Sequence, residues 1–158
     1  MPLTANDRLA IHELCARYYI TTDEADVDGF MDCWADHDDI RFESAFGTYE
    51  GRAAIREFED DHVHRGMAVG KRHLLSNVAV RPGEDDDTAY VTTYMTVLDV
   101  VNIPHVVATA IYRDSKVVRT ENGWRFVYRH MDVDPGFQKL MDAQETEGKA
   151  EHDTEQPA

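Results

Sequence analysis

The hydrophobic pattern of the chain changes period once, from helical to extended. Near the start, Ile11, Leu14, Cys15 and Tyr18 recur at spacings of three and four, the period of a helix with one apolar face. Thr4 and Asp7 stand three apart ahead of them, the spacing of a capping box, so a first helix is expected from there to about Thr22. Asp26 or Asp28 can cap a short second helix carrying Phe30, Met31 and Trp34. Ile40 to Ser44 alternates as a strand, and Phe46-Gly47-Thr48-Tyr49 is read as a corner. Gly51 to Phe58 opens a third helix that ends near Gly66. Four β-rich runs follow, at about 71–82, 88–101, 106–120 and 124–133. Pro82-Gly83-Glu84-Asp85-Asp86-Asp87 and Glu121-Asn122-Gly123 supply turns, and Pro104 marks a bend between the middle pair.

Helices first and a long meander afterwards predict an α+β domain. Its expected form is a cone-shaped, curved antiparallel or mixed sheet with three N-terminal helices on the concave face, enclosing a pocket. Residues lining that pocket would come from the end of the first helix, from the second helix, and from one face of each long strand. The domain is expected to span 1–141. The segment 142–158 is acidic, has no hydrophobic period, and reads as a disordered tail.

Composition narrows the partners. A net charge of −15 repels phosphate backbones and argues against nucleic-acid binding. No apolar run approaches the roughly 20 residues of a membrane span. The first residues carry neither a basic flank nor an apolar signal core, which points to the cytoplasm. Cys15 and Cys33 both fall in helical patterns and read as small buried hydrophobes. His62 and His64 stand two apart on a helix and point to different sides, so no metal is expected. His105, beside Pro104, is the one other histidine expected to reach a pocket. No glycine-rich phosphate loop or nucleophile elbow is present, which points to cofactor-free chemistry.

Several short segments occur in a telling order: Ala10-Ile11-His12-Glu13-Leu14-Cys15-Ala16-Arg17-Tyr18-Tyr19 and Asp23; Phe30-Met31-Asp32-Cys33-Trp34-Ala35-Asp36; Gly51-Arg52-Ala53-Ala54-Ile55; His73 with Asn77; and Gly123-Trp124-Arg125-Phe126. This series resembles the SnoaL-like families of the nuclear-transport-factor-2-like superfamily, and covers roughly residues 7–133. Within it the pattern is nearest the scytalone dehydratase, bile-acid 7α-dehydratase and hexachlorocyclohexane dehydrochlorinase group, lyases in which a histidine takes a proton from carbon while an aspartate orients it. The resemblance maps that pair onto His73 and Asp23, and an arginine onto Arg129. The position five before the aspartate is lysine in the dehydrochlorinase and tyrosine in the bile-acid enzyme. Here it is Tyr18, which implies a dehydratase-like or isomerase-like site rather than a dehalogenase. The bile-acid enzyme's second aspartate falls at Val97, so that substrate is not implied.

The residues themselves allow this chemistry. Histidine is the side chain whose unperturbed pKa suits proton abstraction near neutrality, and a carboxylate on one ring nitrogen fixes the tautomer of the other. His73 lies in an alternating stretch, where it points opposite Arg72 and Leu74. Read alone, the pattern favours a satisfied strand histidine for His73 and a cap of the following helix for Asp23; the resemblance reverses that preference. Tyr18 would meet Asp23 only if the helix ended near Ile20 or Thr21; there its phenol would donate to a substrate oxygen, stabilising an enolate or protonating a leaving hydroxyl, the other reading being a core aromatic. Arg129 and His130 face opposite sides of their strand, and the resemblance selects Arg129 as an anion stabiliser in the pocket, the other reading being a salt bridge. Trp34, Tyr19, Phe30, Val97 and Met131 are the expected substrate contacts. The expectation is thus a cofactor-independent lyase, dehydratase-like, acting on a small hydrophobic or polycyclic molecule. An isomerase or polyketide cyclase with the same pair, or a non-catalytic ligand-binding or assembly protein, are the alternatives. An open apolar sheet face leads us to expect a homo-oligomer, dimer or trimer.

Overall fold

The computed structural model describes residues 3–139, 141 and 142. The expected tail, apart from Asp142, lies outside the described residues.

Helix α1 runs Ala5–Asp23, and its start is the capping box that Thr4 and Asp7 foreshadow. The Thr4 hydroxyl accepts from the Asp7 N–H (3.1 Å), and the Thr4 N–H donates to the Asp7 carboxylate (2.9 Å). The other Asp7 oxygen accepts from Arg119 (2.6 Å) and the Trp124 indole (3.2 Å), which pins the helix start to the last hairpin of the sheet. Together these donors hold the Asp7 carboxyl well below the usual carboxylate range, Arg119 foremost. Helix α2 is Val27–Met31, capped by Asp26 through the Gly29 N–H. Helix α3 is Gly51–His64.

The strands are β1 (Arg41–Ser44), β2 (Gly47–Glu50), β3 (Lys71–Pro82), β4 (Thr88–Asp99), β5 (His105–Thr120) and β6 (Gly123–Val133). They form one mixed sheet in the order β2-β1-β6-β5-β4-β3, in which only the β1–β6 pair is parallel. The segment read as a corner at 46–49 is instead a hairpin. Ser44 pairs with Gly47 and Phe42 with Tyr49, because Gly47 sits at φ +143°, where a side chain is disfavoured and a tight reversal is possible.

Register shifts curve the sheet. They occur between Ser76 and Ala79 on β3, Val91 and Thr93 and again Val97 and Leu98 on β4, and Tyr112 and Lys116 on β5. Each extra residue bends its strand and increases its twist. Asn77 takes the left-handed conformation at the first of them (φ +52°), which asparagine tolerates better than most residues. Helices α1 and α3 cover one face, α1 against β3 and β6, α3 against β1 and β2. The fold is therefore α+β, a six-stranded curved sheet that does not close.

The core between the layers joins Ile11, Leu14 and Cys15 of α1 to Trp34, Phe42 and Phe126. Residues 33–35 extend the β6 edge: the Ala35 N–H donates to the Phe126 carbonyl and the Phe126 N–H to the Cys33 carbonyl, both at 2.9 Å. Both cysteines are buried with free thiols.

Candidate active site

A cavity of about 160 Å³ opens between the helices and the sheet. Its wall is mostly apolar and aromatic (Phe42, Phe58, Met95, Val97, Tyr112 and Met131 among others), with a few polar side chains set into it. A second recess of about 420 Å³ adjoins it and shares Phe46, Phe58, His62 and Met67 with it.

His73 and Asp23 meet at this wall. His73 Nδ1 lies 2.7 Å from Asp23 Oδ1, and the His73 backbone N–H donates to the other carboxylate oxygen at 3.0 Å. An ionised carboxylate only accepts, so the proton of the ring contact belongs to Nδ1, and Nε2 is left as the free ring position. The geometry follows from two local features. Asp23 is the last residue of α1, and α1 packs on β3. On β3, Arg72 and Leu74 are exposed, so strand alternation turns His73 inward.

Tyr19, rather than Tyr18, is the aromatic partner of this pair. The helix continues through Asp23, so Tyr19 at i−4 shares its face while Tyr18 at i−5 does not. The Tyr19 ring stacks on His73 with centroids 5.7 Å apart and planes at 12°. Tyr18 also lines the cavity, but packs edge-on against Tyr19 and Phe126. Burial pushes both phenols up well above the ordinary tyrosine range, so both are neutral hydroxyls at physiological pH.

Arg129 requires a correction. It faces inward, as expected, and His130 faces out to Glu43 (2.8 Å) and Asp132 (2.9 Å). Yet Arg129 does not line the cavity; it is fully buried behind the wall. Its guanidinium lies 4.1 Å from the ring centroids of Tyr18 and of Tyr112, and 4.3 Å from that of Phe126. One nitrogen donates to the Tyr19 hydroxyl at 3.3 Å, while Nε and Nη1 find no partner among the described residues. A guanidinium cannot shed its proton, so the ring faces are its nearest compensation. No direct contact with a ligand is open to it in this arrangement.

Trp34 and Phe30 are likewise displaced from the expected wall. Both are buried in the layer behind Tyr18, which packs against each of them. The bridge of residue 34 to β6 draws Trp34 into the core instead of the cavity. Tyr19, Val97 and Met131 do line it. His105, the first residue of β5, is exposed and lines neither cavity.

Sequence reasoning missed Glu59 and His62, both contributed by α3. Glu59 is 1% exposed, and its Oε1 has no hydrogen-bond partner among the described residues. Burial raises its carboxyl from 4.5 to about 7, opposed by Thr22 and reinforced slightly by Asp60. His62 is pushed down, by burial first and then by His73 and Arg65, and its Nε2 is also buried and unpartnered. The signal was present: Ile55, Glu59 and His62 follow one another at spacings of four and three, so an acid occupies the buried stripe of α3. Among the described residues no group of three or more His, Cys, Asp or Glu side chains could hold a metal, and no helix is long and apolar enough to cross a membrane.

Comparison with known families agrees with the fold. The SnoaL-like domain model matches residues 3–130. The chain belongs to the SnoaL-like domain family. Two solved structures at higher identity share the fold of this SnoaL-like domain. One is a protein of unknown function with a cystatin-like fold from Nostoc punctiforme, 28% identical with a TM-score of 0.76, covering 85% of this chain and 96% of that one. The other is an NTF2-like protein with a cystatin-like fold from Novosphingobium aromaticivorans, 31% identical with a TM-score of 0.71, covering 83% and 84%. A scytalone dehydratase candidate from the same organism is 16% identical with a TM-score of 0.66, covering 83% and 89%, a likeness of fold alone. A search of curated proteins gives no match.

Proposed function

We propose that this SnoaL-like domain is a cofactor-independent lyase that removes a carbon-bound proton and expels water from a small, largely apolar molecule. The observation that carries the reading is the 2.7 Å contact between Asp23 and His73 Nδ1 at the wall of an apolar cavity. His73 Nε2 is the base; Asp23 fixes its tautomer and stabilises the imidazolium as it forms. Tyr18 and Tyr19 are neutral hydroxyls that can donate to an oxygen on which negative charge builds. Arg129 acts through space. At an effective dielectric of about 20, its charge stabilises an anion roughly 8 Å away by about 2 kcal/mol.

Cavity size favours a compact substrate. An apolar cavity of roughly 150 Å³ accommodates benzene. A molecule with one ring therefore fills the inner space, and a larger one would extend past Phe58 and His62 into the adjoining recess. An isomerisation or cyclisation would begin with the same proton abstraction. The test uses 3-hydroxycyclohexanone in D₂O: the wild type exchanges the proton between the ketone and the carbinol carbon, and His73→Ala does not. Equal exchange by a folded His73→Ala would refute the role of His73.

We also propose that a second copy of this chain covers the outer sheet face, where Leu74 and Tyr94 are exposed. Light scattering at micromolar concentration should report a dimer or trimer; a monomer would overturn this.

A further inference from the structure

Opposite chemistry is built into the part of the same cavity wall that α3 supplies. Helix α3 presents Glu59 and His62 one turn apart, on the side of the helix that the core-facing Ile55 also occupies. Both are cavity-wall residues with a buried polar atom that no protein group satisfies among the described residues. A buried oxygen left without a partner costs stability, and a fold keeps it where a ligand or a reaction uses it. Here two unpartnered polar atoms share one helix face at a single apolar chamber.

We infer that Glu59 is the general acid of this site: it delivers a proton to a hydroxyl leaving group while His73 takes one from carbon, which makes the substrate class a cyclic β-hydroxy carbonyl compound. This rests on the reading of His73 as the base.

The step balances. His73 Nε2 takes the proton on the carbon next to the carbonyl, and that electron pair forms the carbon–carbon double bond. The adjacent carbon–oxygen bond breaks. The Glu59 proton passes to the departing oxygen, which leaves as water. Imidazolium and carboxylate then remain, and transfer of one proton from the first to the second through solvent restores the starting state.

The surroundings suit an acid held neutral. The groups sharing the cavity with Glu59 are Thr22, Tyr18 and Tyr19 from α1, His62 from its own helix, Lys71 and His73 from β3, and Tyr112 from β5. The one lysine or arginine among them, Lys71, is engaged by Asp99 at 2.9 Å. Desolvation dominates the carboxyl and favours its protonated form near neutrality. His62 remains a neutral imidazole beside it.

The test separates acid from base by leaving group. With 3-hydroxycyclohexanone, Glu59→Gln should slow enone formation about 100-fold or more while proton exchange in D₂O continues. With 3-acetoxycyclohexanone, whose acetate leaves without a proton, Glu59→Gln should lose far less. His73→Ala should lose both reactions. If Glu59→Gln slows the two eliminations equally, or neither, the assignment is overturned. A second measurement does not depend on turnover. The infrared carboxylic-acid band removed by Glu59→Gln should shift in the wild type when cyclohexanol is added. No such band at pH 6, or a band indifferent to the alcohol, overturns the assignment of Glu59. Absence of exchange in the wild type would count against His73 alone, and the infrared result would still decide Glu59.

Discussion

Glu59 makes the stability of the protein depend on pH in a way that one substitution isolates. In the unfolded chain its carboxyl titrates at 4.5; in the folded protein burial moves this to about 7. Below 4.5 both states hold the proton and the group contributes nothing. Between 4.5 and 7 the folded state keeps a proton that the unfolded state has lost, so stability falls as pH rises through this window. The gap of about 2.5 pH units, at 1.36 kcal/mol each, amounts to about 3 kcal/mol of lost stability above pH 8. Glu59→Gln has the same shape and no titration. The experiment is urea unfolding of both proteins from pH 5 to 8.5, followed by the fluorescence of Trp34 and Trp124. Every other titrating group is common to the two, so the difference in unfolding free energy isolates Glu59. It should change by about 2–3 kcal/mol in favour of the variant across that range. A difference that stays constant from pH 5 to 8.5 would refute the buried neutral acid, whatever the absolute stabilities.

Two further changes probe the frame of the site. Arg129→Met removes a charge whose burial costs several kcal/mol, along with ring contacts worth about 1–2 kcal/mol each, and the methionine sulfur regains some contact with the same rings. Its unfolding free energy should lie within about 1 kcal/mol of the wild type while turnover falls; a loss above about 3 kcal/mol would mean that the cation is retained for stability. Thr4→Ala removes the hydroxyl that accepts from the Asp7 N–H and should cost about 1 kcal/mol by thermal or urea unfolding, with no measurable cost counting against the cap.

The frame was legible because its signals are local. Thr4 with Asp7, the alternation around His73, and the Glu121-Asn122-Gly123 turn each depend on neighbours within a few positions. The meeting of Asp23 with His73 came from resemblance, since nothing in the spacing of two residues 50 positions apart states that α1 lies on β3. The errors share a cause. Trp34 and Phe30 were expected at the wall from their place on the second helix and Arg129 from the resemblance, but inward side chains here fill two layers, and only the nearer one meets the cavity. Which layer a residue joins depends on packing depth, as when Tyr18 screens Trp34 and Arg129. Glu59 was overlooked for the opposite reason. A glutamate on a charged helix reads as solvated, and only its place in the stripe with Ile55 and His62 showed otherwise.

Helix α1 also works as a lever. Asp7 and Asp23 lie at its two ends, 16 residues and so roughly 24 Å apart at 1.5 Å per residue. Asp7 is clamped to the β5–β6 hairpin by Arg119 and Trp124, on the side away from any chemistry. A tilt of about 2–3° at that clamp would swing Asp23 by about 1 Å, and a displacement of that size can cost a reaction about 100-fold. Alignment of the Asp23 carboxylate proposed to orient His73 is thus entrusted to a half-buried ion pair at the remote end of the helix. Variation at Arg119 or Asp87, which bond each other there, would reach the reaction rate without touching the cavity.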